Sequence, residues 1–174
     1  MTTQQTRSTL AVRKTIVVNV PQAHAFLVFT EKHGSWWPLA SHHIGAQAAQ
    51  TAILEPRAGG RWYERGVDGS ECDWGRVLVW DPPQRLVLSW EIGADWKHDS
   101  SLSTEVEVRF IAEGPRTTRV ELEHRDLERF GEKAQAMRSA FDSEGGWTGI
   151  LQLFGAAAGA EEISPEAPCP THPE

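Results

Sequence analysis

Cysteine is scarce in this chain: residues 72 and 169 are the only two among 174. Cys72 falls in a predicted strand and Cys169 in a Pro-rich tail. No disulfide framework is expected, and both read as reduced thiols of a cytoplasmic protein. There is no apolar run long enough to span a bilayer, and Met1 to Thr9 holds no signal-peptide core, so no membrane partner is expected. Basic residues are outnumbered, 17 Lys and Arg against 24 Asp and Glu, for a formal net charge of −7. No Lys/Arg cluster offsets this, and such a surface repels phosphate backbones, which argues against nucleic acid as a partner. A Gly-x-Ser-x-Gly elbow, a phosphate-binding glycine loop, a dinucleotide fingerprint and a His-Glu-x-x-His motif are all missing. No cofactor is called for. The adjacent His42 and His43, with His33 nearby, have no Cys or carboxylate at a recognised ligand spacing. They read as solvated loop side chains, and no metal site is expected.

What the chain has in excess is tryptophan, eight in all. They fit either a Trp-rich core or a cavity with aromatic walls. The densest stretch runs from Gly59 to Trp90 and reads as three antiparallel strands. Asp68-Gly69 marks one tight turn and Asp81-Pro-Pro-Gln84 the next. Val12 to Val20 reads as a first strand. Pro21 then opens a short helix to about Thr30, and a broken second helix runs from Glu31 to Trp37. Thr51 to Glu55 is a further strand. Thr104 to Phe110 and Thr118 to His124 alternate with period 2, giving two strands that each have one covered and one wet face. After Asp126 the period becomes helical, from about Glu132 to Ala157, with a break or bend near Gly145-Gly146. Residues 1–11 and the Pro-rich 159–174 are expected to be disordered around a single domain, 12–158.

This order is α+β: a seven-stranded curved antiparallel sheet wrapped around a long C-terminal helix, in the sequence β-α-α-β6-α. One helix is too narrow to fill the concave side, which predicts a space between helix and sheet. Several motifs in this order resemble the START-like, helix-grip superfamily (SRPBCC, the birch-pollen-allergen fold). They are Ala25-Phe-Leu-Val-Phe-Thr30 with Trp36-Trp-Pro-Leu39, Leu54-Glu-Pro-Arg-Ala-Gly-Gly-Arg-Trp62, Trp74-Gly-Arg-Val77, Pro82 to Trp90, and Gly146-Trp147 with Leu151. Within that superfamily the chain looks most similar to bacterial homologues of the activator of heat-shock protein 90 ATPase. The resemblance implies the fold more than a function, because the fold hosts carriers, receptors and cyclases alike. Relatives of this kind are often dimers, which keeps a homodimer among the expectations.

Strand alternation nominates the inward side chains. Trp62 shares a face with Glu64, Leu86 with Trp90, and Leu122 with His124. With Phe141 and Trp147 from the last helix, the candidate ligand-binding set is Trp62, Glu64, Trp90, His124, Phe141 and Trp147. Glu64 and His124 would be polar groups in an apolar space and would need partners. Either they orient a bound molecule, or Glu64 sits in water at the rim and a backbone carbonyl satisfies His124. The expected function is binding of a hydrophobic or amphipathic small molecule, with no catalytic residue assigned. The alternative is an enzyme in the same cavity using His124 or Glu64 as acid/base. A chaperone-activating role is the weakest expectation, since the chain lacks room for the additional N-terminal domain of eukaryotic activators.

Overall fold

A computed structural model of the chain describes residues 10–163. Seven strands form one antiparallel sheet: β1 Val12–Val18, β2 Ala49–Leu54, β3 Arg61–Gly66, β4 Glu71–Asp81, β5 Arg85–Trp90, β6 Thr104–Gly114 and β7 Thr117–Arg125. Their spatial order is β1-β7-β6-β5-β4-β3-β2. Every consecutive pair from β2 to β7 is a hairpin neighbour, which is why short turn signals were enough to order them. The helices α1 Gln22–Thr30 and α2 His33–Trp36 carry the chain from one edge strand, β1, to the other, β2.

The turns follow local chemistry. Gly69 has φ of +87°, a value open to a residue without Cβ. Beside it, Asp68 Oδ1 accepts from the backbone N–H and the hydroxyl of Ser70. At the second turn, Gln84 N–H closes onto the Asp81 carbonyl at 2.9 Å. In β7 the alternation is regular: Thr118, Val120, Leu122 and His124 are buried and their neighbours are half-exposed.

The other face of the sheet carries charge. Glu107 on β6, buried at 4 % exposure, receives guanidinium groups from Arg85, Arg109 and Arg125. Burial pushes its carboxyl up, but the hydrogen bonds from these arginines outweigh that and hold it at about 2. Arg61 likewise bridges Asp73 and Glu71 across β3 and β4.

The C-terminal helical region is interrupted, as expected near Gly145-Gly146. A 3-10 segment, Leu127–Lys133, leads into α3 Ala134–Asp142, and α4 Trp147–Ile163 follows after a break. The break falls where the Gly145-Gly146 pair placed it. Gly146 is needed there: a Cβ would lie 2.3 Å from the Phe141 carbonyl oxygen and 2.4 Å from that of Ala140. The helix also continues beyond Ala157 to Ile163. Nor does this helix cover the concave face by itself. Phe26 and Phe29 of α1 pack against Phe110 of β6, and Phe29 meets Phe154 of α4 at 5.2 Å. So α1 and α4 together fill one part of the concavity. Among the described residues, no helix is long and apolar enough to cross a membrane. At the N-terminal side, Leu10 is already tied down, its carbonyl accepting from Leu127 N–H. The disorder expected for residues 1–9 and 164–174, and Cys169, lie outside the described residues.

Candidate functional site

The break between α3 and α4 leaves part of the concave face unfilled. A half-enclosed cleft of about 400 Å³ opens there. Its floor is sheet: Trp74 from β4 and Trp90 from β5, with Ile92 just beyond. One wall is helical, made by Ala140, Phe141, Trp147 and Ile150 with the 143–146 turn. The opposite wall is the segment after α2, with Trp37 and then Ser41 to Ile44. Trp96 stands at the mouth, 48 % exposed, on the turn between Gly93 and Lys97. Its φ is +61°, an uncommon conformation for a bulky side chain.

The buried tryptophans form a lattice. Trp37 lies 5.1 Å from Trp74, 6.0 Å from Trp147 and 6.3 Å from Trp62. Trp90 lies 5.7 Å from Trp62 and 6.0 Å from Trp147. Edge-to-face contacts dominate, the arrangement favoured by aromatic quadrupoles. Each of these indoles also has a polar end to satisfy. Trp37 Nε1 donates to the His42 carbonyl, and Trp90 Nε1 to that of Ile92.

The polar groups beneath the lattice are fully engaged. Trp147 Nε1 donates to His124 Nδ1 at 3.1 Å. That leaves the His124 proton on Nε2, where it is donated to Thr104 Oγ1 at 2.8 Å. The Thr104 hydroxyl in turn points to the Trp90 carbonyl. Burial lowers His124 to about 3, so it is neutral. His33 repeats the device: Trp62 Nε1 donates to its Nε2 and its Nδ1–H goes to the Phe29 carbonyl. Burial lowers it to about 4, the bond to Phe29 opposing only in part.

Glu64 is 1 % exposed. Its Oε1 accepts from Ile44 N–H at 2.6 Å and from Trp74 Nε1 at 2.8 Å, and its Oε2 from Gly45 N–H at 3.1 Å. Two strands of sheet chemistry thereby fix the loop that carries His42 and His43. Gly45 approaches so closely that a Cβ would sit 3.0 Å from Glu64 Oε2. Cys72 is near by, and burial followed by the Glu64 charge pushes its thiol up, away from the reactive thiolate.

Of the six residues nominated by alternation, Trp90, Phe141 and Trp147 line the cleft. Trp62, Glu64 and His124 do not. They face inward as expected, but rings of the lattice stand between them and the cleft. Glu64 is not at a wet rim, and His124 is satisfied by two side chains rather than by a backbone carbonyl. Neither borders the cleft, His124 has both ring nitrogens engaged, and Glu64 accepts three hydrogen bonds from the protein.

The histidines read as solvated are wall residues. His42 Nε2 donates to the Gly145 carbonyl, joining the loop to the α3–α4 break, and its Nδ1 accepts from Ser41 Oγ at 2.7 Å. His43 Nδ1 donates to the Gly45 carbonyl at 3.1 Å. No periodic pattern could have placed them, since they lie in a loop. The one clue in the sequence was Glu64, a carboxylate on an inward strand position that had to find donors. Among the described residues, no group of His, Cys, Asp or Glu could hold a metal ion.

Comparison with known proteins adds the family. The chain aligns with the solved structure of an anthrahydroquino-γ-pyrone synthase, Txn09, at 38 % identity, with 86 % of this chain and 97 % of that one covered and a TM-score of 0.61. It aligns with CalC from Micromonospora echinospora, described as a self-sacrificing resistance protein, at 32 % identity, 87 % and 95 % coverage and a TM-score of 0.66. CalU16 from the same organism shares the fold at 21 % identity, 88 % and 79 % coverage and a TM-score of 0.57. No curated protein matches. The sequence model described as Activator of Hsp90 ATPase homolog 1-like protein matches residues 19–159, and the chain therefore belongs to that family, within the START-like, helix-grip superfamily.

Proposed function

We propose that the chain binds a small, flat, largely apolar molecule of fused aromatic rings in the cleft between α4 and the sheet. The observation that carries this reading is the wall itself. Trp37, Trp74, Trp90 and Trp147 present carbon to a space of about 400 Å³ while their N–H groups are satisfied elsewhere. A rigid aromatic wall of this size suits a ligand of several fused rings, since such pockets hold ligands of drug size. The likeness to Txn09, a synthase named for a ring system of this kind, supports the choice of ligand class.

The test is to fill the space from its exposed side. Ala140 is exposed on α3 and borders the cleft, so Ala140→Trp should leave the core intact. An environment-sensitive apolar dye should brighten with the parent protein and about tenfold less with Ala140→Trp. Equal brightening with a correctly folded variant would sink the reading.

Catalysis in the same cleft is a second reading, favoured by the identity to Txn09. It would have to proceed without His124 or Glu64 as acid/base, because neither borders the cleft and both are hydrogen-bonded to protein groups.

A further inference from the structure

The cleft's side-chain hydrogen bonding is one-sided. Four lining indoles give their N–H groups to the protein. The Ser41 hydroxyl goes to His42, and the Ser143 hydroxyl to the Ala140 carbonyl at 2.7 Å. His42 gives its Nε2–H to Gly145. Among the described residues, the side-chain N–H of the wall left over for a ligand is that of Trp96, at the mouth. The strongest side-chain acceptor on the wall is Nε2 of His43. A carbonyl can only accept, so the contact with Gly45 places the neutral ring's proton on Nδ1 and leaves Nε2 with its lone pair. No described residue donates to that nitrogen. Glu64 fixes the backbone that carries the ring by accepting from the next two N–H groups, those of Ile44 and Gly45.

Resting on the binding reading above, we infer that the ligand carries an aromatic or enolic hydroxyl, and that this O–H donates to Nε2 of His43. A ligand without a donor would cover that nitrogen and leave its lone pair unpaired, whereas a hydroxyl replaces the hydrogen bond the nitrogen made with water. The fused-ring class is thereby narrowed to phenols and enols, and His43 becomes the residue that sets which edge of the ligand enters.

The experiment compares 2-hydroxyanthraquinone with its methyl ether, 2-methoxyanthraquinone, by titration calorimetry. The ether keeps the rings and loses the donor. The parent protein should bind the phenol roughly tenfold more tightly, the value of one good hydrogen bond. In His43→Phe the preference should collapse to about one, through weaker phenol binding with ether binding retained. His43→Ala, which opens space rather than filling it, should give the same collapse. Equal affinities for the two probes in the parent protein would overturn the inference and leave the binding reading standing. So would a preference that survives both substitutions, or a loss that falls equally on phenol and ether. If neither probe binds the parent protein, the binding reading falls and takes this inference with it.

Discussion

At the scale of single residues, the polar core is built from neutral histidines clamped by tryptophan N–H groups. That makes stability depend on pH with a definite sign. His33 and His124 are lowered from 6.5 to about 4 and about 3 in the folded protein. Above 6.5 both states are neutral and the folded form has its full stability. As pH falls, the unfolded chain takes up protons that the folded form refuses. Stability therefore declines from about pH 6.5 to about pH 4 for His33 and to about pH 3 for His124. Each pH unit costs about 1.4 kcal/mol per histidine. Glu107 adds a second, lower window: its stabilisation is complete above 4.5 and is lost as pH approaches about 2. Denaturant melts between pH 7 and 3.5 should show a falling midpoint, with up to two protons absorbed per molecule unfolded between pH 6 and 4. A midpoint flat across that interval would mean that the histidines are protonated in the folded state.

At the scale of elements, the break between α3 and α4 has the largest structural consequence. Continued as one helix, the chain would close the cleft. Gly146 allows the turn, its N–H reaching the Ser143 carbonyl at 2.9 Å. Gly146→Ala should cost about 3 kcal/mol, near the upper end of ordinary single substitutions, because the obstructing atoms are backbone oxygens that cannot rotate away. A thermal melt checks this, and a loss below about 0.5 kcal/mol would show that the turn can rearrange. The strands were the most legible elements. Period-2 runs with Asp-Gly and Pro-Pro turns specify hairpins locally, and β3 to β7 follow one another as antiparallel neighbours in that order. The helical cover was less legible. The apolar stripe of residues 130–154 continues through the break, and nothing local says that α1 will share the concave face.

At the scale of the whole molecule, the candidate site was half legible. Alternation says which side of a strand faces inward, and Trp62, Glu64, Trp90 and His124 all do. It does not say how far along the concavity the helices fill the space. Trp62 and His124 therefore looked equivalent to Trp90 in sequence, although in the fold only Trp90 borders the cleft. His43 gave the opposite error, since its significance depends on a loop fixed by a carboxylate twenty-one residues later, Glu64. Separations of that kind carry no periodic signature.

The indole lattice makes the protein's near-ultraviolet light emission a collective property. Trp36, Trp37, Trp62, Trp74, Trp90 and Trp147 are joined by ring-centre separations of 5.1 to 6.3 Å. At such spacings an excitation created on one indole migrates among its neighbours before it is emitted. Trp37, at the centre of the lattice, is also cleft wall, so an absorbing guest in the cleft drains the shared excitation rather than darkening one ring. The emission of a rigidly frozen sample should be strongly depolarised. Replacing Trp37 and Trp62 together with phenylalanine leaves Trp90 and Trp147 as the one joined pair of this set and should raise the polarisation, and an unchanged value would mean that the indoles emit independently.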